Sequence, residues 1–242
     1  MTVQRGDVWS FGRHRLMCGD STNNIDIARL LDGHTPRYGL HDPPYGLGAY
    51  GIGLLKKDGS TRGIKDRGSK KYHTVNWDDK PFDPAVVLKL CPDSIIWGAN
   101  YYADKLPVSR GWIAWDKSGG NPDLTKDHNS DVEFAWTPFR VKARVYHHAW
   151  KGFVRAGHHG AFIHPTQKPI EVMEKIILQY FKEPGIILDL YAGSGPVLMA
   201  CEHLGRACYS MEMDPFYCEK IIERWEKETG QLARFVSAGG RS

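Results

Sequence analysis

The chain has 242 residues, 41% of them apolar, with 32 basic against 28 acidic side chains for a formal net charge of +4. No apolar run approaches the roughly 20 residues of a membrane helix, and the opening Met1-Thr2-Val3-Gln4-Arg5-Gly6-Asp7 lacks the apolar centre of a signal peptide. The expectation is therefore one cytoplasmic domain spanning residues 1–242, not a membrane or secreted protein. Five cysteines without C-x-x-C spacing, mostly in apolar stretches, argue for buried thiols over a disulfide framework or zinc site.

Residues 6–20 predict two short strands around Gly12, followed by a helix that Ser21, Thr22 or Asn23 can cap and that Asp32-Gly33 ends. The strand Arg37-Tyr38-Gly39-Leu40-His41 leads into Asp42-Pro43-Pro44-Tyr45-Gly46. Prolines lack an N–H and have φ fixed near −65°, so the carbonyls of Asp42 and Pro43 are left to point outward beside the Asp42 carboxylate. Such a corner suits a planar ring bearing an exocyclic NH₂, with acceptors for both hydrogens and Tyr45 as a stacking surface. A plain proline turn with Tyr45 as a packing residue is the alternative.

Residues 46–80 alternate glycines with Lys56, Lys57, Arg62, Lys70 and Lys71, among other cations. A loop this long inside a domain is usually functional or disordered, and its place after the corner favours a lid or nucleic-acid clamp over a spacer. A helix is predicted from Pro84 to Leu90, then a buried strand with a loop at its carboxyl end over Ser94–Asn100, and strands at Trp112–Asp116 and Val132–Trp136.

From Phe134 through Ile170 there is no acidic residue. The strict alternation Arg140-Val141-Lys142-Ala143-Arg144-Val145-Tyr146 predicts a strand with three cations and Tyr146 on one face. That face suits a phosphate backbone as well as it suits solvent. Lys151, Arg155 and the aromatics Phe139, Trp150, Phe153 and Phe162 tilt the reading toward nucleic acid. The pairs His147-His148 and His158-His159 do not share a helix face and are read as solvated or DNA-facing, with no metal assigned.

His164-Pro165-Thr166-Gln167-Lys168-Pro169 opens a helix striped by Ile170, Met173, Ile176, Ile177 and Tyr180. The apolar strand Ile186–Leu190 runs into Tyr191-Ala192-Gly193-Ser194-Gly195, then a helix, a strand at Arg206–Met211 closed by Glu212-Met213-Asp214, and a helix from Pro215 to Glu228. Glycines between strand and helix let a ligand approach backbone and a helix N-terminus, and Glu212 lies where a βαβ fold places an acid for ribose hydroxyls. The signal is a nucleoside-containing cofactor. A dinucleotide is disfavoured, because Pro196-Val197-Leu198 replaces the third glycine of the fingerprint.

Together, Asp42-Pro43-Pro44-Tyr45, His164 to Pro169 and Leu188 to Gly195, in that order, resemble the amino-group DNA methyltransferases of the permuted β class over essentially the whole chain. The resemblance implies an α/β, Rossmann-like S-adenosylmethionine methyltransferase fold, with a seven-stranded, mostly parallel sheet, helices on both faces and a circularly permuted motif order. It assigns the amino-group contacts to Asp42 and Pro43 within the corner that Pro44 completes, and base stacking to Tyr45. His164, Thr166, Lys168 and the loop Asp189, Tyr191, Ala192, Gly193, Ser194 and Gly195 fall to the cofactor's methionine, Glu212 to its ribose, and Met213 with Asp20 and Ser21 to its adenine. The family usually has Pro-Phe where this chain has Leu190-Tyr191, and Thr in place of Pro196. Residues 137–163 would be a short target-recognition segment. The implied reaction is transfer to adenine N6 in DNA, with an Asp-led corner favouring adenine over cytosine N4. RNA as substrate, a non-catalytic nucleic-acid scaffold and a homodimer stay open.

Overall fold

A computed structural model describes residues 2–46, 82–125, 130–151, 154–157 and 167–238. Lys56, Lys57, Arg62, Lys70, Lys71, His158, His159, His164, Thr166 and the aromatics Phe153 and Phe162 lie outside the described residues, as does nearly all of the 46–80 loop.

The hairpin around Gly12 is β1 (Val8–Phe11) and β2 (His14–Cys18), paired antiparallel. Helix α1 (Asn24–Leu31) starts where Asn23 Oδ1 accepts the Ile25 N–H at 2.8 Å, and stops at Asp32, which takes a left-handed conformation. After β3 (Tyr38–His41) come α2 (Ala85–Leu90), β4 (Ser94–Trp97), β5 (Ile113–Asp116), β6 (Val132–Trp136) and β7 (Arg144–His147). A separate hairpin joins β8 (Trp150–Lys151) to β9 (Val154–Arg155). The last third alternates strictly: α3 (Ile170–Tyr180), β10 (Ile187–Asp189), α4 (Pro196–His203), β11 (Cys208–Glu212), α5 (Pro215–Thr229) and β12 (Arg234–Ser237). Asp214 caps α5 by accepting the Phe216 N–H at 2.9 Å, and Gly230 at φ +71° ends it.

The main sheet has ten strands in the order β12-β1-β2-β11-β10-β3-β4-β6-β5-β7. Strands β2, β11, β10, β3 and β4 are mutually parallel, and β6 is antiparallel to both β4 and β5, so β5 shares the direction of the main run. These seven correspond to the mostly parallel sheet that the resemblance implies. The other three extend its edges: β7 lies parallel to β5, while β1 and β12 add an antiparallel pair at the far side.

Side chains alternate across each strand. Leu16, Ile95 and Ile187 point to the core under α3, α4 and α5, whereas Met17, Ile96 and Leu188 point to the core under α1 and α2. Burying each such side chain contributes about 1.5–3 kcal/mol. All five cysteines are buried free thiols, and no described helix is long and apolar enough to cross a membrane.

The strand expected from Arg140 to Tyr146 begins only at Arg144. Phe139 N–H bonds Thr137 Oγ1 at 3.0 Å and Val141 N–H bonds the Phe139 carbonyl at 2.8 Å, so local turns take the backbone groups that a ladder would need. Polar alternation was a correct signal for β7 alone.

Candidate active site

Strands β3 and β10 are parallel neighbours, pairing Tyr38 with Ile187 and Gly39 with Leu188. The Asp42 corner and the Gly193 loop therefore leave the same edge of the sheet side by side, where open α/β sheets hold their ligands. His41 fastens the two exits together. Its Nδ1 accepts the Leu190 N–H at 3.2 Å, which leaves the ring proton on Nε2, 3.5 Å from Ser94 Oγ. Complete burial pushes the His41 pKa down to about 3, so the ring stays neutral in this role. Gly39 is required beside it, since a Cβ there would lie 2.2 Å from Ser94 Oγ.

A cavity of about 610 Å³ opens between the exits, within the size range of small-molecule sites. Asp42 and Pro44 line it from one side; Asp189, Tyr191, Ala192, Gly193 and Ser194 line it from the other; Asp20, Ser21, Glu212 and Met213 close its far end. An apolar wall of Phe82, Val86, Trp97 and Met173 completes it. Gly193 and Gly195 sit at φ +54° and +75°, and Ile221 fills the space behind Gly195, 3.1 Å from where a Cβ would be. Ser194 is 2% exposed and its hydroxyl has no hydrogen-bond partner among the described residues.

Both Glu212 oxygens are braced by backbone, Oε2 by Gly193 N–H at 2.8 Å and Oε1 by Asp214 N–H at 2.9 Å. A carboxylate has about four acceptor sites, so lone pairs remain for a ligand. Burial raises the pKa of Glu212 to about 7 and that of Asp189 to about 8. Asp20 differs: despite partial burial, the Thr22 N–H and hydroxyl and the nearby Arg5 hold its carboxyl below the usual range.

At the corner, charged groups form a chain. Lys168 Nζ lies 2.5 Å from Asp42 Oδ2, 3.1 Å from Glu133 Oε2 and 3.1 Å from the Tyr45 oxygen, and Tyr45 donates to Asp42 Oδ1 at 2.8 Å. Lys117 holds the other oxygen of Glu133 at 3.1 Å. Burial raises the Asp42 carboxyl, with Lys168 opposing it. For Glu133 the two lysines outweigh burial and keep it ionised, and for Lys168 the two acids outweigh burial and keep it protonated. Tyr45 does not cover the cavity. It stacks on Tyr101, ring centroids 5.1 Å apart, and is seated over Gly98, where a Cβ would fall 2.0 Å from its ring.

Of the cations expected to meet DNA, those among the described residues are not brought to this edge together. Because β6 runs opposite to its neighbours, its carboxyl end and residues 137–143 lie at the amino edge of the sheet, where Phe139 stacks on Tyr180 at 5.9 Å. Arg140, Lys142 and Arg144 are exposed there, away from the cavity. Lys151 is buried, paired with Asp131 and donating to the Leu124 carbonyl at 2.9 Å, so it is a structural cation and not a phosphate contact. Arg155, in the β8–β9 hairpin, lies over the Trp150 ring at 5.8 Å.

Glu133, Lys117, Gly98 and Trp97 are site residues the sequence reading missed. One signal was present: Glu133 is the single charge inside the apolar strand Val132-Glu133-Phe134-Ala135-Trp136.

Residues 110–224 match the family model described as DNA methylase. That segment is similar to the DNA methylase family over just under half of the chain. The Type II methyltransferase M.HpaI of Haemophilus parainfluenzae is 38% identical over 65 residues, 27% of this chain and 21% of that protein. The Type II methyltransferase M1.MboII of Moraxella bovis is 20% identical over 245 residues, 81% of this chain and 91% of that protein. The chain spans only about a fifth to a quarter of the curated relatives it matches at 38% identity. Among solved structures, the M1.HpyAVI–SAM complex shares the fold with TM-score 0.51 and 22% identity, covering 87% of this chain and 99% of its own. The PvuII DNA methyltransferase (cytosine-N4-specific) shares it with TM-score 0.53 and 14% identity, covering 89% and 87%.

Proposed function

We propose that this chain is a DNA methylase that transfers a methyl group from S-adenosylmethionine to the exocyclic amine of a flipped-out base in DNA, adenine N6 in particular. The observation that carries the reading is the cavity shared by the ends of β3 and β10, with the Asp42 corner and the Gly193 loop on its two sides. The donor set fits a nucleoside with a charged tail. Glu212 has acceptor sites to spare, Ser194 offers an unpartnered buried hydroxyl, and Asp20, Ser21 and Met213 stand at the far end. When bound, S-adenosylmethionine supplies an electrophilic methyl carbon whose bond to sulfur breaks as the amine nitrogen takes it. The chain's part is orientation and charge. Asp42, with the Pro43 carbonyl, accepts the amine's hydrogens and turns the nitrogen lone pair toward the cavity. Asp42 then meets the positive charge growing on nitrogen and takes the surplus proton. Phe82 and Trp97 exclude water from that side.

In a duplex the amine is paired, so the base must leave the stack at a cost of a few kcal/mol. Tyr45 is assigned to receive it, by a shift from its seat on Tyr101. The test is to incubate the protein with unmethylated DNA and S-adenosylmethionine and to identify the modified nucleoside by mass spectrometry. N6-methyl-2′-deoxyadenosine is expected. N4-methylcytosine would redirect the base assignment, and no modified nucleoside in DNA or RNA would overturn the activity.

A further inference from the structure

Among the described residues Asp42 carries two partners, Tyr45 and the Lys168 ammonium at 2.5 Å. An ammonium so close to the amine's acceptor would stand beside the positive charge that methyl transfer builds on nitrogen, and like charges at such separations repel strongly in a water-poor site. Lys168 is itself 5% exposed and cannot retreat into solvent. It has another seat. Glu133 Oε2 lies 3.1 Å from the same nitrogen, on the opposite side from Asp42's strand, and Glu133 is fixed from behind by Lys117 at 3.1 Å. The rings of Trp97 and Tyr45 face the ammonium at 5.4 and 5.7 Å, stabilising a cation along that path.

We propose that Glu133 is a positioning residue: it draws the Lys168 ammonium off Asp42 when an amino group docks, so that Lys168 holds Asp42 ready in the empty site without opposing the cation that forms in the filled one. The inference rests on Asp42 as the amine's acceptor. It makes Lys168 a partner of the acceptor corner, where the sequence reading gives it to the cofactor's methionine. Among the described residues, the charged and titratable groups facing Asp42 are Lys168, Glu133, Tyr45, Tyr102 and Asp189, with Lys117 behind Glu133.

The test compares Glu133→Gln and Lys168→Met with the wild type in the full chain. The Asp42 carboxyl is followed by carbon-13 NMR across pH, with Asp42→Asn to assign its signal. Removing the negative neighbour should move the Asp42 titration to lower pH, and removing the positive one should move it to higher pH. Methyl transfer by Glu133→Gln should fall roughly tenfold or more in kcat, with S-adenosylmethionine affinity and the KM for DNA within about twofold of wild type. Glu133→Asp should recover part of the rate. Titrations that move in the same direction in both variants, or not at all, overturn the inference, as does an unchanged kcat in Glu133→Gln. If the wild type transfers no methyl group, the proposed function fails by itself, and the NMR titration still decides whether Lys168 is shared between the two acids.

Discussion

The two edges of the sheet make opposite use of the same residue types. At the carboxyl edge, three cations among the described residues are committed: Lys168 and Lys117 bind Glu133 and Asp42, and Lys151 binds Asp131. At the amino edge, Arg140, Lys142 and Arg144 are exposed beside a packed aromatic cluster, Phe139 on Tyr180 and Phe181. Charge counted along the chain favours the second region as the place where substrate meets protein. Strand direction favours the first, because loops that carry chemistry in open α/β sheets follow the carboxyl ends of the strands. Density of charge is a poor guide to a site, and commitment of charge is a better one.

The largest effect should come from the carboxyl edge. Asp42→Ala should lower methyl transfer by about 100- to 1,000-fold, the usual scale for losing one preorganised electrostatic contact, while S-adenosylmethionine affinity by calorimetry stays near wild type. A variant that keeps full activity would remove Asp42 from the chemistry. Gly98→Ala comes next, because a Cβ would fall 2.0 Å from the Tyr45 ring at a residue with φ +73°. Displacing Tyr45 should weaken base capture, read as a smaller 2-aminopurine signal on DNA binding, and slow transfer by up to roughly a hundredfold. Tyr45→Ala should reproduce both losses, and a normal signal in both variants would free Tyr45 of the stacking role.

A smaller effect concerns stability. Asp189 is 1% exposed and its pKa is raised to about 8. The native state therefore holds a proton that the unfolded chain releases near pH 4, and the stability associated with that proton is lost as pH rises toward 8. Asp189→Asn lacks this loss. Its melting temperature should gain on the wild type between pH 5 and pH 9, and a constant difference would show that Asp189 does not titrate there. The smallest effect belongs to the amino edge. Replacing Arg140, Lys142 and Arg144 together by serine should change methyl transfer by no more than about threefold at moderate salt. A collapse of activity would mean that DNA reaches across the sheet and would undo the contrast between the edges.

Much of this was legible in the chain itself. The apolar runs before Asp42 and Gly193 mark buried parallel strands, and Asn23, Pro169, Asp214 and Gly230 mark helix ends by capping chemistry that acts over a few residues. What stayed hidden depends on partners far along the chain. Glu133 is recognisable as a site residue only once β6 is laid between β4 and β5 with Lys168 opposite. The reversal of β6 also sends Arg140 and Lys142 to the wrong edge, and hydrophobic period cannot reveal strand direction. β12 was missed because three of its four residues are exposed, leaving no buried face to set a pattern.

Cofactor and acceptor amine are expected to share one cavity between β3 and β10. A bisubstrate ligand, with the adenine amine tethered through a short linker to the sulfur position of an S-adenosylmethionine analogue, tests it directly by calorimetry. The account predicts binding at least roughly tenfold tighter than the untethered cofactor analogue, since the second contact becomes intramolecular, and loss of that gain in Asp42→Ala. Equal affinity for tethered and untethered ligands, in wild type and variant alike, would contradict it.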